Sequence, residues 1–352
     1  MSTPPPTWSG DPRVAAVLDR EIVRAGVANW AAASIWRGDS TLEGAVSPIA
    51  TPPVFDLASL TKPLTATVAL HHVSEGRLSL DTTVAGLLPA LEGSPAERAT
   101  VESLLAHRAG LPAWGALYRL DPFAHTPACS VPLKEVWPLA TLVARAASSV
   151  EAKGRERYSD LGYVLLGAML RAFGPLTEQW RVLTGIGGAP SAASHAWVAP
   201  TEEIAWRGGI VRGRVHDENA FALEEAGGDP GHAGAFGTAS EVSAFGRAWL
   251  EALSGRSVFF DECLARRAIE HPAEGTHALG WDLRSGSTPS SGQRFGPRTF
   301  GHLGFTGTSL WIDPDQQLVV ALLTNRVHPT RANDRIRAAR PRVHDALVAL
   351  LD

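Results

Sequence analysis

Strand-forming segments stand at the two ends of this 352-residue chain, and the long stretch between them is patterned for helix. Near the amino end, "WAAASIWRGDSTLEGAVS" (30–47) gives two extended runs around Gly38-Asp39-Ser40, the makings of a hairpin. Near the carboxyl end, "TSLWIDPDQQLVVALLTNR" (308–326) does the same around Asp313-Pro314-Asp315-Gln316. Together they predict one sheet built from both termini with a helical insert. The expected division gives residues 1–75 and 240–352 to the sheet-bearing part and 76–239 to the mostly helical part.

Helical spacing supports that insert. "TVESLLAHRAGLP" (100–112) has Thr100 as N-cap and stops at Gly110 and Pro112. "YSDLGYVLLGAMLRAF" (158–173) is capped by Ser159 or Asp160, and "TASEVSAFGRAWLEAL" (238–253) by Thr238 or Ser240. Flanking the strands, "DPRVAAVLDREIVRAG" (11–26) is helical, and "RIRAARPRVHDALVALLD" (335–352) reads as a terminal helix interrupted near Pro341. On composition alone, "SGSTPSSGQRFGPR" (285–298) is a flexible surface loop.

The totals exclude several function classes. A formal charge of −4, without any run of five or six like charges, gives no electrostatic footprint for nucleic acid. No stretch nears the roughly 18 apolar residues of a membrane span. The leader "MSTPPPTWSGDPR" lacks a basic patch followed by an apolar core, so a cytoplasmic location is expected. Cys129 and Cys263 lie far apart, without metal or redox spacing, and are expected to be two buried free thiols. No phosphate loop, dinucleotide fingerprint, His-Glu-x-x-His or Gly-x-Ser-x-Gly is present, so neither a cofactor nor a metal is expected.

The chemistry is concentrated in "FDLASLTKPLTATVAL" (55–70), an apolar run of helical length with Pro63 in its first turn and Gly76 beyond its end. Lys62 is one of three lysines, with Lys134 and Lys153, and follows Ser59 by three residues. Positions i and i+3 share a helix face, so the amine can reach the hydroxyl. A desolvated lysine can lose its proton and act as a base, which arginine cannot. The helix amino terminus adds free N–H groups for developing oxyanion charge. Alone, this spacing equally describes an ordinary first-turn lysine.

Two further elements follow in order. "RERYSDLGY" places Tyr158, one of three tyrosines, just before a helix cap, from where its phenol can enter a cleft. "FGHLGFTGTSLWIDP" carries Gly301, Gly304 and Gly307 at a strand entry, where a ligand can approach the backbone. The ordered set, with "LSLDTTVAGLLP", "ESLLAHRAGLP", "VHDENA", "GHAGAFGTASEVSAF" and "ALGWDL", resembles the serine β-lactamase and penicillin-binding protein-like superfamily over most of the chain. The likeness is to its class C-type branch, with esterase and D-peptidase relatives.

That resemblance implies an α/β (α+β) fold of the β-lactamase/transpeptidase-like type: an antiparallel sheet flanked by helices, a mostly helical inserted domain, and an active site in the cleft between them. It implies Ser59 as acylated nucleophile, with Lys62 and Tyr158 sharing proton transfer, their division of labour open. Backbone N–H groups of Ser59 and Phe305 would form the oxyanion hole, and Asp160 would orient Lys62 or a substrate amide. The implied substrate is a small ester, amide or peptide.

Two departures shape the expectation. His302-Leu303-Gly304 stands where the family most often has Lys-Thr-Gly, replacing a permanent cation by an imidazole. Asp160 stands where Asn is usual and cannot donate an amide hydrogen bond when ionised. Both weigh against efficient β-lactam hydrolysis and leave ester cleavage intact. The alternatives are a D-amino-acid peptidase or β-lactamase of the same fold, and a non-catalytic penicillin-binding sensor. His216, Asp217 and His232 lack metal-ligand spacing and are expected to order loops. The mid-helix pair His71-His72 is expected to be structural. Trp114 and Trp281 are candidates for an acyl pocket, with core packing the default.

Overall fold

The computed structural model describes residues 7–119, 121–123, 137–150, 155–257 and 259–352. A short edge strand β1 (Thr7–Gly10) leads into helix α1 (Pro12–Leu18), which Asp11 caps by accepting the Arg13 N–H. The hairpin β2 (Ala31–Arg37) and β3 (Ser40–Ser47) turns at Gly38, whose φ of +57° suits glycine. Helix α2 (Thr61–Ser74) is buried on nearly every side, as a helix apolar all round must be. Its threonines find partners: Thr65 Oγ1 donates to Gly231 O at 2.8 Å, and Thr67 Oγ1 to Pro63 O at 2.8 Å.

In the middle of the chain, α3 (Val101–Leu105) has a capping box between Thr100 and Ser103, and it stops before Gly110 is reached. Ser159, not Asp160, caps α4 (Asp160–Leu170), and Thr238 caps α5 (Ala239–Ala252). The carboxyl end supplies β4 (Asp282–Leu283), β5 (Phe300–Leu303), β6 (Ser309–Asp313), β7 (Leu318–Thr324) and α6 (Ile336–Val348).

The strands form one seven-stranded antiparallel sheet in the order β1-β3-β2-β7-β6-β5-β4. The two ends of the chain meet where β2 pairs with β7, from Ala31↔Thr324 to Arg37↔Leu318. Every residue of β7 is buried, because helices cover both faces of the sheet. Val319, Ala321 and Leu323 join the core that holds Phe245 and Trp249 of α5. Leu318, Val320 and Leu322 pack with Val14 and Leu18 of α1 and Val343 and Leu347 of α6. The mixed α/β architecture is the expected one.

Three local expectations are corrected. Helix α6 runs through Pro341 without a break. The carbonyl that loses its partner is that of exposed Arg337, where water can bond it. Residues 285–298 are tied down: Asp345 Oδ1 accepts the Gln293 and Arg294 N–H groups at 2.8 and 2.9 Å, and Phe295 is buried. Cys263 is exposed, in the first turn of a short helix that buries Ala265 and Ala268 instead; Cys129 lies outside the described residues. His71 and His72 bond to Phe259 O and Gln179 Oε1, both at 2.7 Å, a structural use. No helix among the described residues is long and apolar enough to cross a membrane.

Candidate active site

Ser59 sits in a single 3-10 turn, Ala58–Leu60, that opens into α2. The residue before it, Ala58, has a φ of +48°, a conformation costly for any side chain and kept only where the surroundings enforce it. Asp56 supplies much of that enforcement. Its Oδ1 accepts the Ala58 N–H at 2.8 Å and its Oδ2 the His216 N–H at 2.7 Å. From the sheet edge, Thr306 Oγ1 donates to Asp56 O at 2.8 Å and Thr308 Oγ1 to Leu57 O at 2.9 Å. Among the described residues no carbonyl takes the N–H of Ser59 or that of Phe305.

Lys62 is fully buried at the foot of this turn. Its Nζ donates to Ser59 Oγ at 2.9 Å and to His232 O at 3.3 Å. It also lies 2.7 Å from Asp160 Oδ1, a close ion-pair contact outside hydrogen-bond angles. The Tyr158 ring centroid is 4.8 Å from Nζ, and Tyr158 lines the same cleft as Ser59. Burial alone would push the ammonium toward losing its proton, but Asp160 and then Tyr158 reverse this and raise its pKa. Burial raises the Tyr158 phenol, against the attraction of Lys62. The resting site therefore holds an ammonium–carboxylate pair beside a neutral phenol.

Ser59, Tyr158 and Asp160 open on a cleft of about 450 Å³. Trp114, Leu303, Phe305 and Ile336 give it apolar walls. Trp281, by contrast, is buried in the core against Trp249 and Phe300. Four arginines also line the cleft: Arg326, Arg331, Arg337 and Arg340. Of these, only Arg331 pairs with carboxylates among the described residues, with Glu202 at 2.6 Å and with Glu218. Arg326 and Arg340 donate to the Phe305 and Gly304 carbonyls at 2.7 and 2.8 Å, bracing the turn after β5. Arg337 stays exposed on the rim.

His302 does not line the cleft. It is buried, with Nδ1 2.9 Å from Leu303 O and its ring 5.9 Å from that of Tyr158. Burial, then Lys62, pushes its pKa well down, so this position carries a neutral imidazole. Leu303 and Gly304 reach the cleft in its place. His216 Nε2 bonds Glu202 at 2.9 Å, and His232 Nε2 bonds Asp217 at 2.8 Å. Asp217 caps the helix Glu218–Glu225 through the Ala220 N–H. Among the described residues no cluster is suited to a metal, and this network orders loops around the cleft.

Sequence reasoning missed Asp56 and the arginines. Asp56 has a local signal, a carboxylate two residues before the N–H it binds. Arg337 has none, because it reaches the cleft only once α6 packs on the sheet.

The sequence model of one family, described as Beta-lactamase, matches residues 20–343. A relative from Escherichia coli (strain K12), provisionally named D-alanyl-D-alanine carboxypeptidase, is 27% identical over 335 residues, 85% of this chain and 75% of its own. Among solved structures, a class C beta-lactamase from Rhodobacter sphaeroides superposes with a TM-score of 0.69 at 18% identity, covering 97% of this chain and 100% of that one. A hydrolase with promiscuous acyltransferase activity gives a TM-score of 0.69 at 19% identity, covering 95% and 98%. At such identities the likeness to these structures is one of fold.

Proposed function

The chain belongs to the beta-lactamase family, and from that premise we propose that it is a serine hydrolase cleaving small esters or amides through an acyl-enzyme on Ser59. The observation that carries this reading is the 2.9 Å contact between Lys62 Nζ and Ser59 Oγ at the mouth of a buried helix. Once the Lys62–Tyr158 pair has lost one proton to solvent, Ser59 Oγ attacks the substrate carbonyl and its own proton passes into that pair. The Ser59 and Phe305 N–H groups receive the oxyanion. Collapse expels the alcohol or amine, which takes that proton, and leaves an ester on Ser59. Water then repeats the sequence and releases the acid. A fluorophosphonate probe followed by peptide mapping tests the first half; adduct at any residue other than Ser59 removes the proposal. Stable acylation by substrate without turnover would support a binding sensor instead.

A second reading, a D-peptidase, is favoured by the exposed guanidinium of Arg337 on the cleft rim, which pairs with no carboxylate among the described residues, and by the names its relatives carry. A substrate ending in a carboxylate would meet Arg337 with Arg326 and Arg340 behind it. Replacing Arg337 by Ala should raise KM for peptides with a free carboxyl end about tenfold, the cost of one charged hydrogen bond. It should leave KM for p-nitrophenyl acetate within about twofold, the scale of a surface substitution remote from a neutral substrate. Equal effects on both would remove the peptide reading.

Asp160 sets the pH at which this machinery runs. Its carboxylate raises the Lys62 pKa, and the amine must be free to accept a proton, so activity rises with pH through that pKa. Asp160→Asn withdraws the charge, lowers the Lys62 pKa, and should move the acidic limb of kcat to lower pH. A limb that stays in place or moves upward would separate Lys62 from the rate-limiting proton transfer.

A further inference from the structure

Tyr158 lines the cleft with Ser59 and lies against Lys62 Nζ, while its ring is enclosed by three imidazoles. Ring centroids of His107, His277 and His302 lie 4.6, 5.7 and 5.9 Å from that of Tyr158. His107 is itself forced to a φ of +56°, and its Nδ1 accepts the Ser159 N–H at 3.0 Å, which leaves the ring hydrogen on Nε2. His277 meets His107 edge-on at 5.0 Å.

His277 differs from the other two. Its Nδ1 lies 2.8 Å from Glu156 Oε1, and the same carboxylate accepts the Thr276 and His277 N–H groups at 3.1 Å. Arg108 approaches Glu156 to 3.5 Å from the other side, and Asp282 faces His277 across a backbone bridge. His277 also lines a second surface depression of about 520 Å³, with Ser103, Arg108 and Glu270, that shares no lining residue with the cleft. An imidazole that only filled space beside Tyr158 would need neither a fixed carboxylate nor an opening to water.

We infer that His277 is a positioning residue for Tyr158. Held by Glu156 and reached through the second depression, it fixes the phenol's orientation and polarity from the side the substrate does not occupy. His107, its Nδ1 already engaged, transmits this by packing alone. The inference rests on Tyr158 taking part in proton transfer, as proposed above.

Three tyrosines in the chain make the test direct. Carbon-13 at tyrosine Cζ gives one signal each for Tyr118, Tyr158 and Tyr163. His277→Gln should move the Tyr158 signal and leave that of Tyr118 in place. It should also lower kcat for an ester about tenfold with KM nearly unchanged, less than removal of a direct acid–base group. In His277→Ala, added imidazole should enter the depression and restore part of kcat saturably. Glu156→Gln, which keeps the ring in place, should shift the same signal and guards against a misfolded His277 variant. A Tyr158 signal unmoved in both variants overturns the inference, whatever the rate does. Because that signal is read without turnover, failure of Ser59 acylation leaves this answer intact and condemns only the hydrolase reading.

Discussion

Ser59→Ala protein hydrolyses a p-nitrophenyl ester roughly 10⁴-fold or more slower than the parent. The size follows from how much of the site depends on one oxygen. Asp56 holds Ala58 in an unfavourable conformation, and this places Ser59 at the head of α2 with its own N–H unengaged by any carbonyl among the described residues. Lys62 is buried to reach Ser59 Oγ, and Tyr158 lies beside it with its ring centroid 4.8 Å from Nζ. With alanine there, the oxyanion donors can still polarise a carbonyl, but nothing is left to attack it. Thermal melting should be close to the parent's, since only a hydroxyl is lost. Retained hydrolysis at the parent rate would sink the Ser59 acyl-enzyme outright.

For Lys62→Arg the expected loss is about 10²- to 10⁴-fold in kcat, the range general acid–base groups supply. Arginine preserves the charge beside Asp160, so a Lys62 that served only as a cation would tolerate the exchange. What arginine removes is the ability to give up a proton at any accessible pH. It also brings a planar, bulkier head into a fully buried slot. The two causes are separable by pH: loss of a base abolishes the acidic limb that Lys62 sets, whereas a misplaced cation would lower the rate with that limb in place. Parent-level turnover in this variant would remove Lys62 from proton transfer.

The Ser59–Lys62–Tyr158 set was legible because each member announces itself locally. A helix start, an i,i+3 spacing and a cap-preceding tyrosine need no knowledge of distant residues. The sheet was legible for a similar reason, since β2, β3, β6 and β7 are long runs with turn residues between them. Legibility failed where long-range packing decides. The ion pair of Lys62 with Asp160 joins residues 98 apart in the chain, and only the resemblance pointed to their meeting. His277 and Glu156 meet across 121 residues, and no periodicity marks either. Pro341 inside α6 and exposed Cys263 went against propensity, since both sit where neighbouring residues already provide the buried face.

The hydroxyls of Thr306 and Thr308 bond the carbonyls of Asp56 and Leu57 across about 250 residues of sequence. The serine turn and the strand-edge turn bearing the Phe305 N–H are thereby bolted together. Of the cleft walls beyond them, Trp114 comes from a separate segment, whereas Ile336 and Arg337 lie on α6, which Arg340 ties to the same turn. Side chains at the mouth can therefore change without touching either threonine bond, so the wall and the reacting atoms are held by different contacts.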